Sequence, residues 1–328
     1  KNDISLQMGQ GSWLQPLTVY LIFLLVSSCW IPCSMSVANF RPVRAVPRIY
    51  RCAKTEGLAD VITPTTEAER IILQESGLII DLRSRDERND KICNVWMVRF
   101  GFELEDDENC NDRRSEDCMP QRRVRRIDIM SRRRMMDYMS SEWLTPFQKM
   151  TAPILELLDP NRLHEMRIEA LNQRGLSGLN EAILESGGHQ LCLALIEMTT
   201  HLEKYETSVI IHCVQGKDRT GILSMLCQSI MGISDEAIIG DYYQSDFEMR
   251  DPSAASAKLV KGRLHKRMFT GAPRKAMKDT LEFLRQKYGS VSPGYLDSIG
   301  FTCDWRDRLV ACLSTSDQSI VQRIPSKL

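Results

Sequence analysis

The chain has 328 residues, of which 43% are hydrophobic and 26% are charged, an ordinary globular composition that allows one sizeable core or two modest ones. Lysine plus arginine and aspartate plus glutamate both number 43, so the net charge is zero and no chain-wide field for nucleic acid is indicated. The 11 cysteines show no CxxC pair and no zinc-ligand spacing, which favours mostly reduced thiols over a disulfide framework or a metal site.

The N-terminal region contains an apolar run, Leu17–Val26, which is shorter than a membrane span and fits the hydrophobic part of a signal peptide. The stretch Ser36-Val37-Ala38 offers a small-residue cleavage site. We therefore interpret residues 1–38 as a signal peptide or targeting leader, with a membrane anchor or a buried segment as alternatives. Such a leader indicates a secretory, endomembrane or plastid location, and a cytoplasmic location is the alternative.

The first part of the predicted domain contains a strand that is followed by the start of a helix. Residues 39–59 contain prolines and several basic residues, which predicts an extended lead-in. Leu78–Leu82 (LIIDL) has the pattern of a short buried strand. Ser84 and Glu87 then have the Ser-x-x-Glu spacing of a helix capping box. A strand followed by a helix is the repeating unit of an α/β layer.

Residues 101–140 have a different character, because an acidic run and a basic run follow one another. The acidic run extends from Glu103 to Glu108. The basic run comprises Arg122, Arg123, Arg125, Arg126 and Arg132–Arg134. We interpret this segment as a charged insertion, solvated, in which opposite charges partly neutralise one another. The alternative is a basic rim that helps to hold an anionic substrate.

The second half of the chain predicts helices around one further strand. Helical patterns cover Leu144–Leu158 and Gly187–Lys204, and the second of these leads into a strand at Ser208–His212. The apolar run GILSMLCQSIMG predicts a buried helix that stops at Gly232. A last helix starts near Pro273. Together these elements predict a single α/β domain over residues 39–310, with a central, mostly parallel sheet flanked by helices and a C-terminal tail over 311–328.

The stretch SVIIHCVQGKDRTG, residues 208–221, places a cysteine between a buried strand and a buried helix. The loop gathers backbone N–H groups at a helix N-terminus, which is a ready site for an anion. Gly216 and Gly221 permit tight turning, and the planar fork of Arg219 can grip two phosphate oxygens. The helix dipole and this cation favour the thiolate of Cys213, which is then positioned to attack phosphorus in line.

HCVQGKDRTG resembles the signature of the cysteine-dependent protein tyrosine phosphatase superfamily. The Lys-Asp-Arg-Thr-Gly ending is similar to that of an atypical family within it, which acts on phosphoproteins and phosphoinositides. Ile49-Tyr50-Arg51 and Asp81–Ser84 (DLRS) also match pieces of that family's pattern. The resemblance covers roughly residues 39 to 300, and the charged segment 101–140 is not matched to the pattern.

The resemblance implies a role for each loop residue and no metal or organic cofactor. Cys213 would be the nucleophile that becomes phosphocysteine, and Arg219 would bind the transferring phosphoryl group. Thr220 would donate a hydrogen bond to the thiolate, and His212 would orient the loop. The residues around the bound phosphate would be Val214, Gln215, Gly216, Lys217, Thr220 and Gly221. Arg51 and Asp81 would support the site.

The leaving oxygen needs a proton, and the source of that proton is not obvious from the sequence. The chain has no Trp-Pro-Asp motif, which carries the acid in better-known tyrosine phosphatases, and no aspartate between Asp159 and Cys213. The resemblance favours Asp218, beside Arg219 in the loop. Asp81, at the end of its predicted strand, is the second candidate. Alternatively, Asp218 is a structural carboxylate that clamps Arg219 or caps the helix.

The sequence predicts a phosphatase that acts on phosphotyrosine, on phosphoserine and phosphothreonine, or on phosphoinositides. A membrane surface is an open further partner. Lys217 is either a solvated lysine at the rim or a contact to an additional phosphate, as on a phosphoinositide. The alternatives are an inactive phosphate-binding module and a thiol enzyme such as an arsenate reductase. Arsenate reduction would need a resolving thiol, for which Cys52 and Cys227 are the candidates.

Overall fold

The computed structural model describes residues 36–105, 121–248 and 264–314, all of which belong to one compact unit. The predicted leader, residues 1–38, lies almost wholly outside these ranges. Its last residues, within the proposed cleavage stretch, are part of the domain: Val37 is buried in the core, and Ser36 Oγ donates a 2.6 Å hydrogen bond to Glu69. Within the described residues, no helix has both the length and the apolar character that crossing a membrane would require.

A six-stranded sheet forms the centre of the described domain, in the order β1-β2-β6-β3-β5-β4. Only the β1–β2 pair is antiparallel. The strands in chain order are β1 (Arg41–Pro42), β2 (Ile49–Cys52), β3 (Ser76–Asp81), β4 (Glu103–Glu105), β5 (Arg123–Arg126) and β6 (Ser208–His212). The predicted α/β class, with a mostly parallel sheet flanked by helices, is therefore confirmed.

Ten α-helices flank the sheet within the described residues, and short 3-10 and π turns separate several of them. The helices are α1 (Glu67–Arg70), α2 (Asp90–Arg99), α3 (Arg132–Tyr138), α4 (Pro146–Leu158), α5 (Pro160–Lys204), α6 (Asp218–Ile230), α7 (Asp235–Glu248), α8 (Arg274–Tyr288), α9 (Leu296–Ser298) and α10 (Cys303–Ser314). The 3-10 turns are Glu56–Asp60, Arg85–Glu87 and Lys266–Phe269, and the π turns are Ile71–Glu75, Met139–Trp143 and Val291–Tyr295.

The sheet is buried on both faces, which explains why its central strands are almost wholly apolar. Along β6 the side chains alternate: Val209 and Ile211 join the core cluster beneath α5 and α6, whereas Ile210 joins the cluster beneath α2. Trp96 of α2 fills the second cluster and is fully buried. The cysteine loop leaves the sheet at the end of β6, between these two layers.

The helix predictions agree with the structure in type but not always in extent. The predicted helix at Leu144–Leu158 is α4, whose Thr145 cap accepts a hydrogen bond from Gln148 N–H. The helix predicted from Gly187 is the second half of α5, which begins at Pro160 and breaks its helical geometry at Gly175. A φ of +60° there is one that glycine adopts readily, so the chain can bend without a second loop.

The charged segment 101–140 is solvated only in part: Glu103 and Arg132–Arg134 are exposed, as expected, but Arg123–Arg126 are buried, which corrects the interpretation from sequence. Strand β5 is buried along its whole length and pairs with β3, next to the centre of the sheet. Its arginines are tolerated there because carboxylates from distant helices meet them: Glu197 lies 2.6 Å from Arg123, and Asp90 lies 3.4 Å from Arg126. Buried cations of this kind look solvated in a sequence until their partners are known.

Candidate active site

The cysteine loop forms a cup between β6 and α6. Cys213 directly follows the strand, and its side chain is almost completely buried. The backbone N–H of Gly216 points at Cys213 Sγ, with 3.2 Å between nitrogen and sulfur. Gly216 has a φ of +66°, and a Cβ atom there would lie 2.4 Å from the backbone oxygen of Cys52. Only glycine fits this turn, which keeps the N–H groups of the loop directed toward the sulfur.

Arg219, in the first turn of α6, reaches back across the cup to a carboxylate. Its Nη2 donates a 2.8 Å hydrogen bond to Glu87 Oε1, and its Nη1 bonds the other carboxylate oxygen of Glu87. Nη1 also lies 3.3 Å from the backbone oxygen of Leu82. Burial alone would lower the pKa of Arg219, but the charges of Cys213 and Glu87 outweigh it and raise this pKa. The guanidinium is therefore a fixed cation at the cup.

Arg51 supports the loop from behind. It is fully buried, and its Nη2 donates a 2.8 Å hydrogen bond to the backbone oxygen of Gly216. Its Nη1 forms a 2.8 Å ion pair with Asp241 of α7. Asn39 Nδ2 adds hydrogen bonds of 3.1 Å and 2.9 Å to the backbone oxygens of Gln215 and Gly216. These bonds hold the carbonyls outward, so the opposite side of the loop is free to present N–H groups.

Lys217 is buried, which differs from the interpretation of a solvated lysine at the rim. Its Nζ donates hydrogen bonds to the backbone oxygens of Phe269 (2.9 Å) and Gly271 (2.6 Å). It also lies 3.5 Å from Asp218 Oδ1. The ammonium therefore ties the cysteine loop to the segment that precedes α8, and Lys217 is not a solvated rim lysine.

Asp218 begins α6, and its carboxylate faces α7. Tyr242 OH donates a 3.2 Å hydrogen bond to Asp218 Oδ1. The structure therefore brings Asp218 next to the cup, with a tyrosine and Lys217 as its nearest polar partners. The alternative interpretation, in which Asp218 clamps Arg219, does not hold in this structure, where Glu87 is the carboxylate that clamps the guanidinium.

Asp81 is held in a closed ion pair with Arg83. Arg83 Nε and Nη2 donate 2.8 Å hydrogen bonds to the two carboxylate oxygens. Burial would raise the pKa of Asp81, but neighbouring His212 and the Arg83 fork outweigh it and hold this pKa well below its usual range. His212 Nε2 lies 3.8 Å from Asp81 Oδ2, and burial lowers the pKa of His212, so we attribute the ionised state of Asp81 mainly to Arg83.

The other loop residues predicted from the sequence lie around the cup. The backbone oxygen of Val214 accepts a 3.1 Å hydrogen bond from Lys54 N–H. Gly221 lets Tyr242 of α7 pack closely, since a Cβ atom there would lie 2.9 Å from its ring. Thr220 is fully buried, and its hydroxyl has no hydrogen-bond partner within the described part of the chain. The expected bond from Thr220 to the thiolate is therefore not formed in this structure, and the role of Thr220 stays a prediction.

Sequence reasoning missed several residues that shape the site. Glu87 was assigned only to a capping box, which it does form with Ser84, while its carboxylate also grips Arg219. Asp128 follows β5. The only sequence feature that could have indicated it is its position just beyond a strand, and the sequence analysis interpreted that strand as part of a solvated segment. Among the described residues, no cluster of three or more His, Cys, Asp or Glu side chains could hold a metal ion.

Comparison with known proteins assigns the chain to a family. A model of the tyrosine phosphatase family matches residues 41–315, a range that contains all six strands, the cysteine loop and all ten helices of the described residues. A search of curated proteins found no match. The matched range covers far more than half of the 328 residues. The chain therefore belongs to the tyrosine phosphatase family.

Proposed function

We propose that this phosphatase hydrolyses phosphate monoesters through a phosphocysteine intermediate on Cys213. The observation that carries the proposal is the cup itself: Cys213 Sγ accepts the Gly216 N–H, and the Arg219 cation lies at the same loop, fixed by Glu87. The thiolate is the nucleophilic form of a cysteine, and a helix N-terminus with a nearby cation is the surrounding typical of reactive cysteines. The resemblance of HCVQGKDRTG to the atypical phosphatase family supports the same assignment.

The proposed reaction has two steps. The phosphate of the substrate binds to the loop N–H groups and to the Arg219 fork, which matches the geometry of two phosphate oxygens. The thiolate of Cys213 attacks phosphorus in line; a sulfur–phosphorus bond forms and the ester phosphorus–oxygen bond breaks. Water then attacks the phosphocysteine, and inorganic phosphate leaves. Arg219 stabilises the charge on the transferring phosphoryl group in both steps.

We propose that the substrate is a phosphorylated protein, with phosphotyrosine as the first residue to test and phosphoserine and phosphothreonine as further ones. A phosphoinositide was the alternative, and Lys217 was the residue expected to read its additional phosphate. The bonds from Lys217 to Phe269 and Gly271 weigh against that role. Arsenate reduction has little support, because burial raises the pKa of both candidate resolving thiols, Cys52 and Cys227, and so disfavours their reactive thiolate form.

The test compares purified wild-type chain with Cys213→Ser and Arg219→Lys, first on a small aryl phosphate and then on phosphopeptides and phosphoinositides. Cys213→Ser should abolish turnover and still bind phosphate. Arg219→Lys should lose most activity, because a point charge cannot replace the bidentate fork. Turnover retained by Cys213→Ser would refute the mechanism. A wild-type chain that binds phosphate without turnover would instead identify an inactive binding module.

A further inference from the structure

Asp128 lies at the edge of the sheet from which the cysteine loop emerges. Strand β5 ends at Arg126, but the ladder continues, since Ile127 N–H donates a 2.9 Å hydrogen bond to the backbone oxygen of Asp81. On the other side, Leu82 N–H donates a 2.9 Å hydrogen bond to the backbone oxygen of His212, one residue before the cysteine. The ends of β5, β3 and β6 are therefore aligned, and Asp128 emerges at the same edge as Cys213.

Arg219 connects this edge to the cup. Its guanidinium lies 3.3 Å from the backbone oxygen of Leu82, the residue between the two aligned ladders. Asp128 is partly buried and lies within electrostatic reach of Arg219 and Glu87. Its Oδ1 accepts a 3.0 Å hydrogen bond from Met130 N–H, and its backbone oxygen accepts a 2.9 Å bond from Arg134. These bonds fix the loop that carries Asp128 at the edge of the sheet from which the cysteine loop emerges.

The environment of Asp128 favours a protonated carboxyl group. Burial raises the pKa of Asp128, and the charge of Glu87 raises it further. The bond from Met130 N–H and the cations Arg134 and Arg219 lower this pKa, but the net direction is upward. A general acid must hold its proton near the working pH, so a raised pKa suits this task.

The neighbouring carboxylates suit the task less well. The pKa of Asp81 is held well below its usual range by Arg83, after the opposing effect of burial. Burial raises the pKa of Glu87 as well, but the hydrogen bonds and the charge of Arg219 outweigh burial and lower this pKa. Asp218 is engaged by Tyr242, whose hydroxyl donates a hydrogen bond to Oδ1, and by the ammonium of Lys217.

We infer that Asp128 is the catalytic residue that exchanges protons with the leaving oxygen and with water. This inference rests on the proposed function. In the first step, as the ester phosphorus–oxygen bond breaks, the Asp128 carboxyl group gives its proton to the leaving oxygen. In the second step, the Asp128 carboxylate takes a proton from water as the water oxygen bonds to phosphorus and the sulfur–phosphorus bond breaks. The products are the alcohol or phenol and inorganic phosphate, and Asp128 regains its proton.

The test compares Asp128→Asn with Asp218→Asn on two substrates, an aryl phosphate with an acidic phenol and an alkyl phosphate. The asparagine retains an oxygen for the Met130 bond, so the loop should keep its shape. Asp128→Asn should lose about 100- to 10,000-fold in kcat/KM on the alkyl phosphate, because protonation matters most for a poor leaving group. It should lose much less on the acidic phenol. Asp218→Asn should lower kcat/KM by the same factor on both substrates.

Two further measurements complete the test. Asp128→Asn should flatten the alkaline limb of the kcat/KM profile, and Asp128→Glu should restore part of the alkyl phosphate turnover. With the acidic phenol, Asp128→Asn should accumulate phosphocysteine, because the second step lacks its base. A leaving-group dependence in Asp218→Asn and not in Asp128→Asn would overturn the assignment. Absence of phosphocysteine from the wild type and from every variant would instead overturn the proposed function, whatever Asp128 does.

Discussion

Glu87 grips Arg219 with both carboxylate oxygens, and the same carboxylate accepts the backbone N–H and hydroxyl of Ser84 at 3.0 Å and 3.1 Å. One side chain therefore closes the turn Arg85–Glu87 and orients the guanidinium of Arg219 in the loop. Because the turn follows β3, the position of the guanidinium is set by the sheet as well as by α6.

The first prediction concerns this pair. Glu87→Gln should lower kcat/KM by up to about 100-fold on every substrate, because a guanidinium displaced by about 1 Å no longer matches the phosphate. It should also lower the free energy of unfolding by about 1–3 kcal/mol, since a nearly buried cation loses its charged partner. Kinetics on a small aryl phosphate and urea denaturation measure the two effects.

The matched control for Glu87→Gln is Ser84→Ala, which removes only the hydroxyl from the turn. It should cost about 1 kcal/mol of stability and leave kcat/KM close to the wild-type value. If Glu87→Gln kept wild-type kcat/KM, the carboxylate would only close the turn and would not position Arg219.

The second prediction concerns Lys217. Lys217→Met keeps much of the side-chain volume but leaves the backbone oxygens of Phe269 and Gly271 without their donor. The loss of two bonds from a charged group should destabilise the fold by about 2–3 kcal/mol. Activity should fall by the same factor on an aryl phosphate and on a phosphoinositide, because the lysine supports the loop rather than the substrate.

Lys54→Met is the control for Lys217→Met, since the Lys54 side chain is exposed and only its backbone N–H contacts the loop, at Val214. It should change neither stability nor turnover. If Lys217→Met lost turnover of the phosphoinositide alone, the result would contradict the structural role. It would instead support a contact between Lys217 and a second phosphate.

The cup could be predicted from the sequence because its parts are contiguous. The strand, Cys213, the glycine turn and the buried helix all lie within residues 208–230, so local patterns suffice. The partners that complete the site could not be predicted, because they are distant: Glu87 and Arg219 are 132 positions apart. Strand β5 was missed for the same reason, since Arg123 reads as a solvated residue until Glu197 of α5 is placed against it.

The third prediction concerns the acid sensitivity of the fold. His201 is buried with its Nε2 2.9 Å from Thr207 Oγ1, and burial, aided by Arg123 and Arg48, lowers its pKa from 6.5 to about 3. Between these two values the unfolded chain binds a proton that the folded chain excludes. The contribution of His201 to the free energy of unfolding is therefore complete above about pH 6.5. It is lost as the pH falls toward 3, by at most about 1.4 kcal/mol per pH unit.

Urea denaturation of the wild type and His201→Gln at several pH values tests this prediction. The glutamine cannot take up the proton, so the free energy of unfolding of the variant should depend less on pH between 6.5 and 3. Parallel curves for the two proteins would show that His201 does not carry the acid sensitivity.

The fourth prediction addresses the phosphocysteine itself. Wild-type chain mixed with an aryl phosphate and quenched in acid within the first turnover should carry one phosphoryl group, and peptide mapping should place it on Cys213. The Gly216 N–H contacts the sulfur of Cys213, and the Arg219 cation interacts with it electrostatically, so no other side chain should be labelled. Turnover with an unmodified Cys213, or with the phosphoryl group on another residue, would contradict the mechanism.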